Sequence, residues 1–165
     1  MHKDPRILPS VPKQDLRNLP GVPMQDSLPD AKCNFGFHYF DETSHCYLVT
    51  GNAKTWEEAQ KDCNSKGANL VTINSPEENQ FVKNLVVIQE REKAWIGMKA
   101  ALSWFDYSKP DYDHWASGEP NWQATNPCVW MYGDVTPTPI QGFWADDKCE
   151  LGSAIAIVCK MPPNN

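Results

Sequence analysis

The chain has 165 residues, a hydrophobic share of 41% and a net charge of −6, which is enough apolar material for one domain with a single core. Its Lys and Arg residues form no cluster that could neutralise phosphates, so nucleic acid is excluded as a partner. The longest apolar runs, 85–88 and 154–159, are far shorter than the roughly 20 residues of a membrane-spanning helix, so we expect no membrane insertion.

The first 31 residues form a proline-rich arm. Residues 1–30 contain six prolines, and the octapeptide LPSVPKQD at 8–15 recurs as LPGVPMQD at 19–26. With few large apolar residues, this segment cannot offset the entropy cost of ordering, so we predict a disordered arm at 1–31 and a folded domain at 32–165. The repeat is either a spacer or a short docking motif for a partner.

The cysteine pattern indicates a disulfide framework rather than a metal site. The chain has six cysteines, none in a C-x-x-C pair, and its four histidines show no i, i+4 pairing, which disfavours zinc. An even number of cysteines favours disulfides formed in an oxidising compartment. Spacing alone does not choose among the pairings of Cys33, Cys46, Cys63, Cys128, Cys149 and Cys159.

The first predicted element of the domain is a β-hairpin between Cys33 and Cys46. The polar residues 41–43 would form its turn. Four aromatic residues flank that turn, namely Phe35, Phe37, Tyr39 and Phe40.

Two capped helices follow the hairpin. The segment 55–58, Thr-Trp-Glu-Glu, is a capping box that opens a helix burying Trp56, Ala59 and Cys63, and Gly67 ends it. The segment 75–78, Ser-Pro-Glu-Glu, repeats this signature with proline at the first helical position. The inward stripe of the second helix comprises Phe81, Val82, Leu85 and Val86.

After Lys93 the chain changes to short apolar runs at 95–98, 129–132 and 155–159, separated by long polar loops. Such runs predict short strands. Two helices followed by short strands predict an α+β domain.

The stretch from Cys33 to Lys160 resembles the C-type lectin-like domain. The landmarks that carry the resemblance, in chain order, are the two capped helices, Trp95-Ile96-Gly97-Met98, Trp115, Glu119-Pro120-Asn121, Cys128-Val129, Trp144, Cys149 and Cys159. The resemblance implies two helices packed on short antiparallel sheets, with a long-loop region that binds ligands. It also implies three disulfides, Cys33–Cys46, Cys63–Cys159 and Cys128–Cys149.

The most informative landmark is the triplet Glu119-Pro120-Asn121. Its carboxylate and amide offer two hard oxygens on one side if the Glu119–Pro120 bond is cis, and calcium prefers such ligands. In similar lectins these two side chains also hydrogen-bond vicinal sugar hydroxyls beside the ion. The Glu-Pro-Asn version accompanies mannose-type sugars (mannose, glucose, fucose and N-acetylglucosamine), whereas Gln-Pro-Asp accompanies galactose. Outside this framework, the same triplet would be an ordinary turn.

The rest of the implied calcium site departs from the family pattern. The pattern places Trp-Asn-Asp where this chain has Trp144-Ala145-Asp146, and a carboxylate where it has Asn126. One charge and one oxygen are thereby lost, so we predict a single weak calcium site, with a Kd of about 10⁻⁴ to 10⁻³ M. The predicted ligands of calcium and sugar are Glu119, Asn121, Asn126 and Asp146, with Trp122 as a surface on which the sugar stacks.

Three functional classes can be weighed on these residues. The leading hypothesis is a secreted, calcium-dependent lectin of mannose-type specificity that binds glycans or a glycoprotein, with an oligomer raising its avidity. The alternative is a calcium-independent module that recognises a protein or another non-sugar ligand, which Ala145 and Asn126 favour. An enzyme is not expected, because no Ser/His/Asp or Cys/His set is suggested by spacing. Met1 to Leu8 lack a signal-peptide pattern, so we expect the signal peptide to be missing from this sequence.

Overall fold

The computed structural model describes residues 32–99, 102–125, 127–135 and 138–165. The predicted arm, 1–31, and the predicted ligand Asn126 lie outside these described residues. The described helices and strands, in chain order, are β1 (His38–Phe40), β2 (His45–Thr55), α1 (Trp56–Ser65), β3 (Asn69–Leu70), α2 (Pro76–Ile88), β4 (Lys93–Lys99), β5 (Ser103–Trp104), β6 (Cys128–Tyr132), a 3₁₀ helix (Thr138–Ile140), β7 (Trp144–Asp147) and β8 (Glu150–Met161). Two helices and a mainly antiparallel sheet confirm the predicted α+β class.

The hairpin and the first helix form as the sequence predicts. Strands β1 and β2 pair around a turn at 41–44. At the start of α1 the Thr55 hydroxyl accepts the Glu58 amide at 3.1 Å, and the Glu58 carboxylate accepts the Thr55 amide at 3.3 Å. Gly67 follows the helix with a φ of 73°, a conformation that glycine adopts without the clash that a Cβ would cause.

The second helix is capped differently from the first. The Ser75 hydroxyl accepts the Glu78 amide at 3.1 Å, as predicted. The Glu78 carboxylate does not return to the Ser75 amide, however. It accepts instead from the Asn74 amide, the Tyr47 hydroxyl and Lys160 Nζ. A buried carboxylate gains more from an ammonium group than from a second amide, because hydrogen bonds between charged groups are stronger.

The described strands form one connected sheet in the order β1-β2-β8-β4-β6-β7, with β3 paired to β8 and β5 paired to β4. All of these pairs are antiparallel except β4 with β8. The last strand is longer than the predicted run at 155–159, because β8 pairs with β2 from Cys46↔Met161 to Thr55↔Glu150.

The core is divided between the two faces of this sheet. On β4, Ile96 faces a cluster that includes the α2 residues Phe81 and Val82, whereas Trp95 faces a cluster that includes the α1 residues Trp56 and Ala59. This division follows from the alternation of side chains along a strand. The two helices therefore cover different parts of the core.

All three implied disulfides are present. Cys33 is bonded to Cys46, Cys63 to Cys159 and Cys128 to Cys149, so every cysteine is paired. The second bond joins α1 to β8, and the third joins β6 to Cys149, which lies between β7 and β8. Within the part of the chain that is described, neither helix has the length and apolar character needed to cross a bilayer.

Candidate functional site

The candidate site lies where the segment 114–123 runs beside β7. The Trp144 amide donates to the His114 carbonyl at 2.8 Å, and the Ala116 amide donates to the Trp144 carbonyl at 2.9 Å. The Glu119 amide then donates to the Ala116 carbonyl at 2.9 Å, which closes a turn through Gly118, whose φ is 83°. These bonds bring the predicted triplet to the end of β7.

Asp146 joins the triplet to the sheet. Its Oδ1 accepts the Asn121 amide at 2.7 Å, and its Oδ2 accepts the Trp122 amide at 3.0 Å. The residue is only 4% exposed, and a carboxylate that accepts backbone amides in such surroundings holds them firmly. Asp146 therefore organises the loop as well as contributing a charge to the site.

Glu119 and Asn121 contact each other directly. Asn121 Nδ2 donates to Glu119 Oε1 at 3.0 Å, and the Asn121 amide also donates to Glu119 Oε2 at 3.2 Å. The Asn121 Oδ1 accepts the Gln123 amide at 3.0 Å. The Glu119–Pro120 peptide bond is cis.

The electrostatics of the site are those of two neighbouring carboxylates. Burial raises the pKa of Glu119, its contact with the Asp146 carboxylate raises it further, and its hydrogen bonds from Asn121 act in the opposite direction. Burial and, secondarily, the Glu119 charge also raise the pKa of Tyr132. A pair of carboxylates that repel each other is stabilised by a bound cation.

Trp122 presents an aromatic surface next to these groups. Its side chain is 55% exposed, and its φ of 56° lies in the left-handed region, which is a genuine outlier for a bulky residue. The hydrogen bond from its amide to Asp146 holds this conformation. Backbone strain of this kind is concentrated at functional sites.

Two predicted departures affect how well the site suits calcium. Ala145 is 3% exposed and pairs with Trp130 across the sheet, so a methyl group stands where the family has an amide. Asn126 lies outside the described residues. Within the described ranges, no three His, Cys, Asp or Glu side chains cluster to hold a metal. The described donor set is Glu119, Asn121 and Asp146, whose hard oxygens fit calcium in kind but fall short of the usual six to eight ligands.

One residue next to this site is missed by the sequence analysis. Asn79 of α2 is 4% exposed and accepts a hydrogen bond from the Trp144 indole at 2.9 Å. The signal was present, because Asn79 and Glu78 lie one helical turn before Val82 and continue the buried stripe of α2. A polar residue on a core-facing stripe predicts a specific buried partner.

Comparison with known proteins gives a family match for most of the domain. Residues 52–161 match the family Lectin C-type domain. The C-type mannose receptor 2 of Homo sapiens is 30% identical over 123 residues, covering 70% of this chain but 8% of that receptor. The chain therefore spans only a small part of that relative's length.

Two of the solved structures that share the fold show its range. One is the cow C-type carbohydrate-recognition domain of CD23 in the presence of a GlcNAc2Man3 oligosaccharide, with a TM-score of 0.67, 29% identity and coverage of 81% of this chain and 98% of that one. The other is a calcium-independent type II antifreeze protein, with a TM-score of 0.66, 27% identity and coverage of 80% and 95%. The same fold thus occurs both in a carbohydrate-recognition domain and in an antifreeze protein.

Proposed function

Because the chain belongs to the family of C-type lectin domains, which bind ligands rather than catalyse reactions, we propose that it is a weak, calcium-dependent lectin of mannose-type specificity. Its ligand is a glycan or a glycoprotein. Its proposed site comprises Glu119, Asn121 and Asp146, with Trp122 beside them and Asn126 as a further ligand inferred from the sequence.

The proposal depends above all on the contact between Glu119 and Asp146. Two carboxylates from distant parts of the chain lie together, and burial first, followed by the contact with the Asp146 carboxylate, raises the pKa of Glu119. Their mutual repulsion is a cost in the metal-free protein. Such a cost is typical of a site that is completed by a cation.

Each residue of the site has a separate role. Asp146 fixes the backbone at Asn121 and Trp122, so the triplet is held in place before any ligand arrives. Glu119 and Asn121 provide an acceptor and a donor to adjacent sugar hydroxyls. A calcium ion held by these oxygens would supply positive charge to the same two hydroxyls. The exposed indole of Trp122 provides an apolar face for the sugar ring.

Calorimetric titration with calcium tests this proposal. The expected Kd for the unaltered protein is about 10⁻⁴ to 10⁻³ M, and bound calcium should raise the melting temperature by mass action. Mannose binding should disappear when calcium is chelated. Glu119→Gln should weaken calcium binding about tenfold or more, since it removes one of two carboxylates.

Glu57→Gln is the matched control, because Glu57 is an exposed carboxylate on α1 whose partner is Lys99. It removes the same charge from the chain and should leave calcium affinity unchanged. If the unaltered protein shows neither heat nor stabilisation at about 10 mM calcium, ten times the weakest expected Kd, the calcium-dependent lectin is ruled out.

One observation favours a second function, a calcium-independent module that recognises a protein or another non-sugar ligand. The buried methyl of Ala145 contributes no oxygen to the site, and a fold neighbour at 27% identity is a calcium-independent antifreeze protein. A ligand retained in the presence of chelator would support this second function.

The proposed setting is extracellular. All six cysteines are in disulfides, which persist in oxidising compartments. A single weak lectin site gains avidity when several copies act together, so we expect multivalent glycans to bind better than single sugars.

A further inference from the structure

A buried amide on α2 is placed to control the geometry of the ligand site. We propose that Asn79 is a positioning residue that holds the Glu119 loop and Asp146 in register by fixing Trp144. This role rests on the proposed function in so far as it concerns calcium and sugar. Its geometric part can be measured without either ligand.

The hydrogen bonds of Asn79 define a single orientation of its amide. Oδ1 accepts from Trp144 Nε1 at 2.9 Å, and Nδ2 donates to the Gly142 carbonyl at 3.0 Å. The side chain is buried, so exchanging the amide oxygen and nitrogen would leave both partners unsatisfied. A fully satisfied polar group in apolar surroundings favours one arrangement over its alternatives.

The segment 142–144, to which Asn79 is hydrogen-bonded, lies against α2. Gly142 has a φ of 86°, and a Cβ built on it would lie 3.1 Å from the side chain of Lys83. Glycine is favoured there by its positive φ, and a larger residue would also require the Lys83 side chain to move by a few tenths of an ångström. Asn79 and Lys83 thus contact 142–144 from adjacent turns of one helix.

Trp144 connects Asn79 to both parts of the site, the turn before Glu119 and the Asp146 carboxylate. Its backbone pairs with His114 and Ala116, and Ala116 accepts the Glu119 amide. Two residues later on the same strand, Asp146 holds the amides of Asn121 and Trp122. A shift in the position of Trp144 would therefore affect the triplet both through the turn before Glu119 and through the hydrogen bonds of Asp146.

The aromatic neighbours of Trp144 do not replace Asn79. Trp104, Tyr112 and Trp115 pack edge-on against the indole, with centroids 5.7 to 5.8 Å away. Such apolar contacts tolerate small changes in the χ1 and χ2 angles of Trp144, whereas the Nε1–Oδ1 hydrogen bond is directional. Asn79 is therefore the contact that selects one orientation of the indole within this packing.

The test combines two variants with one control. Asn79→Leu removes both hydrogen bonds while keeping the number and branching of the side-chain heavy atoms. Asn79→Asp keeps an acceptor for Trp144 but loses the donor to Gly142. Gln80→Leu alters an exposed amide on the same helix, whose partner is Asn84, and serves as the control.

The first measurement is amide NMR of the calcium-free protein. Asn79→Leu should shift the Trp144 indole resonance and the backbone amides of Asn121 and Trp122, and should raise hydrogen exchange at those amides about tenfold relative to the core strands. Asn79→Asp should retain a bonded indole but show a smaller change at Asn121 and Trp122. Gln80→Leu should change none of them. If Asn79→Leu does not fold, the same resonances measured in Asn79→Asp test the positioning role.

The second measurement is calcium affinity, which we expect Asn79→Leu to weaken about tenfold or more, as loss of a supporting residue does at other metal sites. Two outcomes would overturn the positioning role. In the first, Asn79→Leu lowers stability but leaves the Asn121 and Trp122 resonances unaltered. In the second, Asn79→Leu alters these resonances but binds calcium with unchanged affinity. If the unaltered protein binds no calcium, the proposed function fails, and the resonances still decide the role of Asn79.

Discussion

At the residue scale, the site depends on how donors and acceptors are distributed between Glu119 and Asn121. The Asn121 side-chain amide donates to the Glu119 carboxylate, so Asn121 is the donor and Glu119 the acceptor of this pair. A sugar hydroxyl beside Asn121 would accept a hydrogen bond from it, and a hydroxyl beside Glu119 would donate one. Reversing the pair changes which arrangement of hydroxyls is satisfied.

We predict that Glu119→Gln combined with Asn121→Asp moves sugar preference from mannose towards galactose. The double exchange reverses donor and acceptor while leaving the net charge unaltered, so calcium binding should persist. The ratio of mannose to galactose affinity, measured by competitive titration, should change about tenfold, or ~1.4 kcal/mol.

Glu119→Gln alone is the control for this exchange. It removes a carboxylate without replacing it, and both sugars should then bind more weakly. An unchanged mannose-to-galactose ratio in the double variant would show that the pair does not determine specificity.

At the element scale, α2 is held to the sheet by a buried ion pair. Lys160 of β8 lies 2.5 Å from the Glu78 carboxylate, and their side chains are 11% and 1% exposed. Tyr47 of β2 donates to the same carboxylate at 2.7 Å. Burial first, and then the Glu78 charge, raise the pKa of Tyr47, so its hydroxyl stays protonated and remains a donor.

We predict that Glu78→Gln lowers the free energy of unfolding by about 3–5 kcal/mol, because it leaves the Lys160 ammonium buried without a counter-charge. Urea denaturation at neutral pH measures this cost. Glu57→Gln is again the matched control, since Glu57 and Lys99 form an exposed pair worth about 0–1 kcal/mol. Equal losses in the two variants would contradict the structural importance of the buried pair.

At the scale of the whole molecule, the disulfides join parts of the chain that are far apart in sequence. The Cys63–Cys159 bond closes a separation of 96 residues, whereas Cys33–Cys46 closes a separation of 13. The longer loop has more conformational freedom to lose in the unfolded state.

We predict that Cys63→Ala with Cys159→Ala destabilises the domain by about 4–5 kcal/mol, and that Cys33→Ala with Cys46→Ala costs about 3 kcal/mol. Urea denaturation of the two double variants gives both values. A larger loss for the short loop would show that contacts in the native state, rather than chain entropy, dominate these bonds.

The sequence by itself determined the elements whose signals are local. The capping box at Thr55, the hydroxyl cap at Ser75, the buried stripe of α2 and the turn between β1 and β2 each depend on residues within a few positions of one another. The family landmarks then implied the disulfide pairing and the fold. The triplet at 119–121 was also evident, because all of its groups are adjacent in the chain.

Tertiary structure alone decided how distant polar groups meet. Whether the Glu78 carboxylate turns to Ser75 or to Lys160, and whether Asn79 reaches Trp144, depends on contacts spanning more than sixty positions. The burial of the Ala145 methyl and the pairing of Asp146 with the amides of Asn121 and Trp122, 25 and 24 positions away, also depend on tertiary contacts. These contacts are specific because the folded sheet excludes water from them. A polar group that is buried without a hydrogen-bond partner is costly, so the fold that supplies the partner is favoured.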